Sequence, residues 1–112
     1  MTGPAWTRSL EAWFAYRGSV PAGDWTLMSN HGHVLVCLAV SPEMRMRDIA
    51  ERVGVTERSV QHIIGDLVAE GYVAKEKVGR RNRYRVVGES RFRHPLEAHV
   101  SVGDFVDLIT HA

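Results

Sequence analysis

Residues 45–72 read RMRDIAERVGVTERSVQHIIGDLVAEGY, and no other stretch restricts the fold so tightly. Ile49, Ala50 and Val53 form the apolar side of a short helix. Gly54 follows where a helix C-terminus calls for a residue tolerant of positive φ. Thr56 carries the side-chain oxygen that caps a second helix. In that helix Val60, Ile63, Ile64, Leu67 and Val68 fall at i, i+3, i+4, i+7 and i+8, a single apolar stripe, and Gly71 closes it. Two helices joined by so short a turn cross closely only if one is small at the contact. Ala50, four residues before Gly54, is that small residue, and Val60, six residues after it, anchors the crossing angle. Ile49, Val53, Val55 and Ile63 complete the apolar ring around it.

The flanking segments extend this unit. Upstream, Val34, Leu35, Leu38 and Ala39 repeat at helical spacing. Ser29 or Asn30 is placed to cap that helix, and Pro42 to stop it. Trp25 and Leu27 are expected to pack beneath it, and Met44 to Met46 reads as a very short strand. Downstream, Tyr72 to Val78 reads as a strand, Gly79 to Asn82 as a turn suited to positive φ at Asn82, and Arg83 to Val87 as a returning strand. Past Pro95, the tail places Val102, Phe105, Val106 and Ile109 on one helical face. Near the N-terminus Trp6, Leu10, Trp13 and Phe14 share a helical stripe before Gly18, Pro21 and Gly23 break the chain. That segment reads as an extra docked helix or as a tail.

Charge is unevenly distributed. The formal net charge is only +1, but Lys75 to Arg93 holds eight basic residues against two acidic ones, a local +6, and the remainder carries −5. A basic run can be a solvated face. One set beside an acidic remainder fits an anionic partner better, and nucleic acid is the commonest. At 45% hydrophobic and 24% charged, the 112 residues suffice for one packed domain. No apolar run approaches the ~18 residues of a membrane span, and the N-terminus, interrupted by Glu11, makes a poor secretory signal. The default location is therefore cytoplasmic. Cys37, the one cysteine, reads as a small buried hydrophobe. His31 and His33, two apart on a helix, point to different sides, and His94 and His99 have no evident third ligand, so no metal and no cofactor is expected. No phosphate-binding glycine loop, H-E-x-x-H or G-x-S-x-G occurs, and an enzyme is not expected.

The segment NHGHVLVCLAVSPEMRMRDIAERVGVTERSVQHIIGDLVAEGYVAKEKVGRRNRYRV resembles the winged helix-turn-helix transcription regulators, broadly the MarR-like and ArsR-like groups of small single-domain proteins. The resemblance implies an α+β winged helix-turn-helix that binds double-stranded DNA, usually as a homodimer. RDIAERVG lacks the cysteines that ArsR-like metal sensors often carry there. The residues then divide by role. The helix starting at Thr56 would lie in the major groove. Arg58 suits guanine and Gln61 adenine, and Glu57 could accept from cytosine or favour the helix N-terminus. His62 and Gly65 share that exposed face, while Thr56 and Ser59 are placed to hold a phosphate. Gly65 either admits a close approach or is a tolerated surface glycine. In the wing, Arg80, Arg81, Asn82 and Arg83 are the DNA-contacting candidates, on the backbone or in a narrow minor groove.

The expected organisation is an N-terminal segment over 1–24, the winged helix-turn-helix over 25–88, and a loop with a C-terminal helix over 89–112. Trp13, Phe105, Val106 and Ile109 are the dimerisation candidates, although the tail could instead simply cover the core. Two rival functions share the fold: a protein–protein adaptor, which would carry a less basic wing, and an RNA-binding winged helix, which would expose more aromatics for stacking. The operator, the direction of regulation and any small-molecule effector leave no trace in the sequence.

Overall fold

The computed structural model describes residues 25–111. Four helices and one two-stranded antiparallel hairpin make an α+β winged helix. Helix α1 (Asn30–Val40) starts at Ser29, whose side chain accepts from the Gly32 N–H, and ends before Pro42. Every residue from Val34 to Leu38 is buried, and so is Val40. The stripe read from spacing is therefore too narrow: Val36 and Cys37 are inside, while Ala39 is only partly covered. Neighbours on several sides explain this, because α1 packs against three helices and a strand. Burial pushes the Cys37 thiol up to about 11, against a smaller opposing effect of Arg52, so it is a protonated packing group at neutral pH.

Helix α2 (Met46–Val53) ends at Gly54, whose φ of 86° is left-handed and whose N–H returns to the Ala50 carbonyl. Helix α3 (Glu57–Ala69) is capped by Thr56, which accepts from the Ser59 N–H at 3.0 Å. Ile49, Ala50 and Val53 of α2 meet Val60, Ile63, Ile64 and Leu67 of α3 in the core shared with α1. Gly71, at φ 82°, then turns the chain into the hairpin.

Strands β1 (Val73–Val78) and β2 (Arg81–Val86) pair from Val73↔Val86 to Val78↔Arg81. The connection is two residues long, Gly79 and Arg80. Gly79 has φ 64° and no described non-glycine residue has positive φ, the sign pattern of a type II′ hairpin turn. Asn82 is thus not the turn residue expected of it; it sits in β2 opposite Lys77. Gly79 supplies the one positive φ that the shorter turn needs.

Two further expectations are corrected. Met44 to Met46 form no strand: Met46 already begins α2, and what remains of a third strand is one hydrogen bond, from the Tyr84 N–H to the Pro42 carbonyl at 3.4 Å. Proline has no N–H to return, so a ladder cannot propagate from it. Trp25 and Leu27 do not lie under α1; they are 80% and 99% exposed. Met28 takes that place, close enough that a Cβ on Gly32 would meet its Cγ at 3.1 Å.

After β2 the chain makes an excursion closed by an isolated bridge between Arg91 and Ser101. Phe92 is wedged edge-on between Tyr72 and Phe105, with ring centroids 6.0 and 5.3 Å away. The Tyr72 hydroxyl accepts from the Arg93 N–H, and the Ser90 hydroxyl donates to the Gly71 carbonyl. Helix α4 (Val102–His111) is capped by Ser101, and its Val102 and Val106 belong to the same core. Its backbone also meets the end of the hairpin: the Gly103 N–H donates to the Gly88 carbonyl at 2.9 Å. A Cβ on Gly103 would lie 3.1 Å from that oxygen and 3.2 Å from the Gly88 Cα. Gly103→Ala should therefore force two backbones apart and cost about 1–3 kcal/mol, read as a lower urea midpoint at unchanged m-value.

Candidate nucleic-acid interface

The apolar stripe of α3 leaves its other face in solvent. Glu57, Arg58, Gln61, His62, Gly65 and Asp66 are all exposed, and Ser59 is half-buried. The residues expected to contact DNA from this helix are thus gathered on its first two turns. Thr56 is more committed than expected. Its Oγ1 accepts from the Ser59 N–H and donates to the Ser59 Oγ at 3.0 Å. The hydroxyl left to donate outward is that of Ser59. The Glu57 carboxylate lies in the first turn, where the helix dipole favours an anion.

On the hairpin, alternation separates the side chains. Arg81, Arg83 and Arg85 share one face with Ala74, Glu76 and Val78. They are not equivalent. Arg85 is tied to Glu76 at 2.7 Å, and Arg83 stands opposite the same carboxylate in the register. Arg80 and Arg81 occupy the tip, exposed, and neither makes an ion pair among the described residues. Asn82 is exposed on the opposite face of β2.

The structure adds residues that spacing did not single out. The start of α1 and the first half of α3 form a cleft of about 580 Å³ lined by Asn30, His31, Thr56, Arg58, Ser59 and His62. Two of the residues at this cleft meet Asp66 on one oxygen: His31 Nε2 is hydrogen-bonded to Oδ2 at 2.8 Å, and His62 Nε2 lies 3.6 Å from it. The His31 hydrogen bond holds the Asp66 carboxyl below its usual range, against some desolvation, and the charges of His62, His31 and Arg93 add to that effect. Arg93, from the excursion after β2, pairs with Glu70 at 3.3 Å. His33 turns instead to Asn30 Oδ1 at 3.2 Å, and burial pushes its pKa down. The signal for His31 was present in H-x-H, but i,i+2 spacing argues only about partners on the same helix; its partner is 35 residues on.

The tail residues divide. Val106 is 8% exposed and belongs to the core. Phe105 packs on Phe92, and Ile109 is half-buried. Leu108, which periodicity did not select, is 67% exposed. Trp13 lies outside the described residues. Among the described residues no group of His, Cys, Asp or Glu is arranged to hold a metal, and no helix is long and apolar enough to cross a membrane.

At Gly65 an added Cβ meets nothing within 4 Å. The glycine serves no close approach among the described residues. Gly65→Ala should raise stability by ~1 kcal/mol, seen as a higher melting temperature; a lower one would reveal strain at this position.

Compared with known families, residues 28–88, just over half of the chain, match the family described as the sugar-specific transcriptional regulator TrmB. The expectation of a winged-helix transcriptional regulator stands, and the match does not extend to the MarR-like or ArsR-like groups. No curated protein matches the chain.

Proposed function

The chain belongs to the TrmB family of winged-helix transcriptional regulators, and from that premise we propose that it binds double-stranded DNA sequence-specifically, with α3 in the major groove and the wing on the backbone or minor groove. The observation that carries this is the state of the exposed α3 side chains. Arg58 and Gln61 make no hydrogen bond to other described residues and stand on the first two turns, the part of a recognition helix that meets base edges. Arg58 matches guanine O6 and N7, and Gln61 matches adenine N6 and N7. Arg80 and Arg81 supply affinity and orientation from the wing tip, while Arg85 serves the wing itself through Glu76.

A homodimer suits this reading, with two recognition helices ~34 Å apart on an inverted repeat. Leu108, with Phe105 and Ile109 beside it on α4, is the described apolar surface that supports such a contact. The family description ties these regulators to sugars, so control regions of sugar-handling genes are the first duplexes to offer.

Selection from random duplexes tests the reading directly. An enriched palindrome supports dimeric readout; no enrichment favours the adaptor function. Arg81→Ala should weaken binding to every duplex and reduce the slope of log affinity against log salt by about one, whereas Arg85→Ala should change that slope less. Leu108→Glu leaves the core intact and should shift the sedimentation mass toward the monomer; an unchanged mass removes α4 from the dimer interface.

A further inference from the structure

We propose that a backbone phosphate of bound duplex DNA seats between His31 and His62, in the cleft between the start of α1 and the first half of α3, and that binding takes up protons on these two imidazoles. The inference rests on the DNA-binding reading and adds to it the start of α1, which lies outside the helix-turn-helix and the wing.

The geometry carries the argument. Both imidazoles have Nε2 near one oxygen of Asp66, His31 at hydrogen-bond distance, 2.8 Å, and His62 beyond it, at 3.6 Å. A ring that donates its Nε2 hydrogen to a carboxylate, as His31 does, has when neutral only a lone pair on Nδ1. Against a phosphate oxygen, lone pair would meet lone pair. A proton added at Nδ1 turns that nitrogen into a donor while the bond to Asp66 is kept, and a charged donor to phosphate is the stronger kind. Imidazole is the ordinary side chain whose charge changes between pH ~5 and ~8.

The surroundings set the direction. From α1 the charged or titratable neighbours are His31 and His33, the latter occupied by Asn30. From α3 they are Arg58, His62, Asp66 and Glu70, and from the excursion after β2, Arg93, which is paired with Glu70. Asp66 stays ionised through the range in which imidazoles titrate, because its carboxyl is held low. With both rings neutral, Asp66 offsets Arg58, and a phosphate gains little there. Each proton added makes the cleft more positive by one charge. The Ser59 hydroxyl, which is not the donor in its bond with Thr56, completes a polar wall. His31 is 48% and His62 78% exposed in their side chains, so a strand of DNA can reach both.

Affinity should therefore be highest at low pH and fall as pH rises, by up to about tenfold per pH unit for each linked proton. The test is a titration of the full chain with a selected duplex between pH 6 and pH 8 at fixed salt. Wild type should show the fall. His31→Gln and His62→Gln should each flatten it by about one proton, while Arg81→Ala should weaken binding at every pH and leave its pH dependence as in wild type. Imidazole NMR signals give a second readout: at pH 7 the duplex should move His31 and His62 toward the protonated form and leave His111 in place. Tight binding by wild type with no pH dependence overturns the phosphate seat and leaves the DNA-binding reading intact, as does a wild-type slope in both histidine variants. No binding to any duplex overturns both.

Discussion

The fold depends on the burial of α1. Five consecutive residues, Val34 to Leu38, are inside, so the helix has no broad solvent face along its middle. Such a helix is stable only as the centre of other elements. Helices α2, α3 and α4 and strand β2 all pack on it. The side chains it buries, at roughly 1.5–3 kcal/mol each for the larger ones, belong to every interface at once. The angle of α3 and the placement of the wing thus follow from a helix of which only the first turn lies at the proposed interface.

The exposed ends of these elements show a consistent use of charge. Three carboxylates near the interface have partners: Asp66 has His31 and His62, Glu70 has Arg93, and Glu76 has Arg85. These pairs are at the surface, and such pairs contribute little to stability. Their effect is on the field that an approaching polyanion meets. With Glu70 and Glu76 offset by arginines, Arg80 and Arg81 act with less opposition.

What could be read from sequence was what is local. Gly54, Gly71 and Thr56 announce their backbone geometry within a few residues, and the stripe from Val60 to Val68 defines which side of α3 is exposed. The α+β winged helix followed from these and from the hairpin pattern. The failures share a cause in non-local competition. Trp25 and Leu27 are as apolar as Met28, and only three-dimensional space decides which reaches α1. Asn82 is a sound turn residue, but pairing of Val78 with Arg81 left a two-residue turn that needed Gly79 alone. Val106 fits an interface stripe as well as a core stripe, and the approach of Gly103 to Gly88 draws it inward. The meeting of His31 with Asp66 joins two helices across 35 positions, for which no periodicity exists.

The hairpin has a further consequence. A two-stranded sheet presents unpaired edges, and on β2 a single bond to Pro42 covers part of one. Bare edges invite strands of other molecules, and lysine and arginine discourage them by repulsion. Half of the residues in the two strands are charged: Lys75, Glu76 and Lys77 in one, Arg81, Arg83 and Arg85 in the other. The same arginines that are proposed to meet a polyanion thereby guard the wing against stacking with its own kind. Stripping charge from this hairpin would then endanger colloidal behaviour before it touched folding, and the loss would surface as precipitation at high concentration.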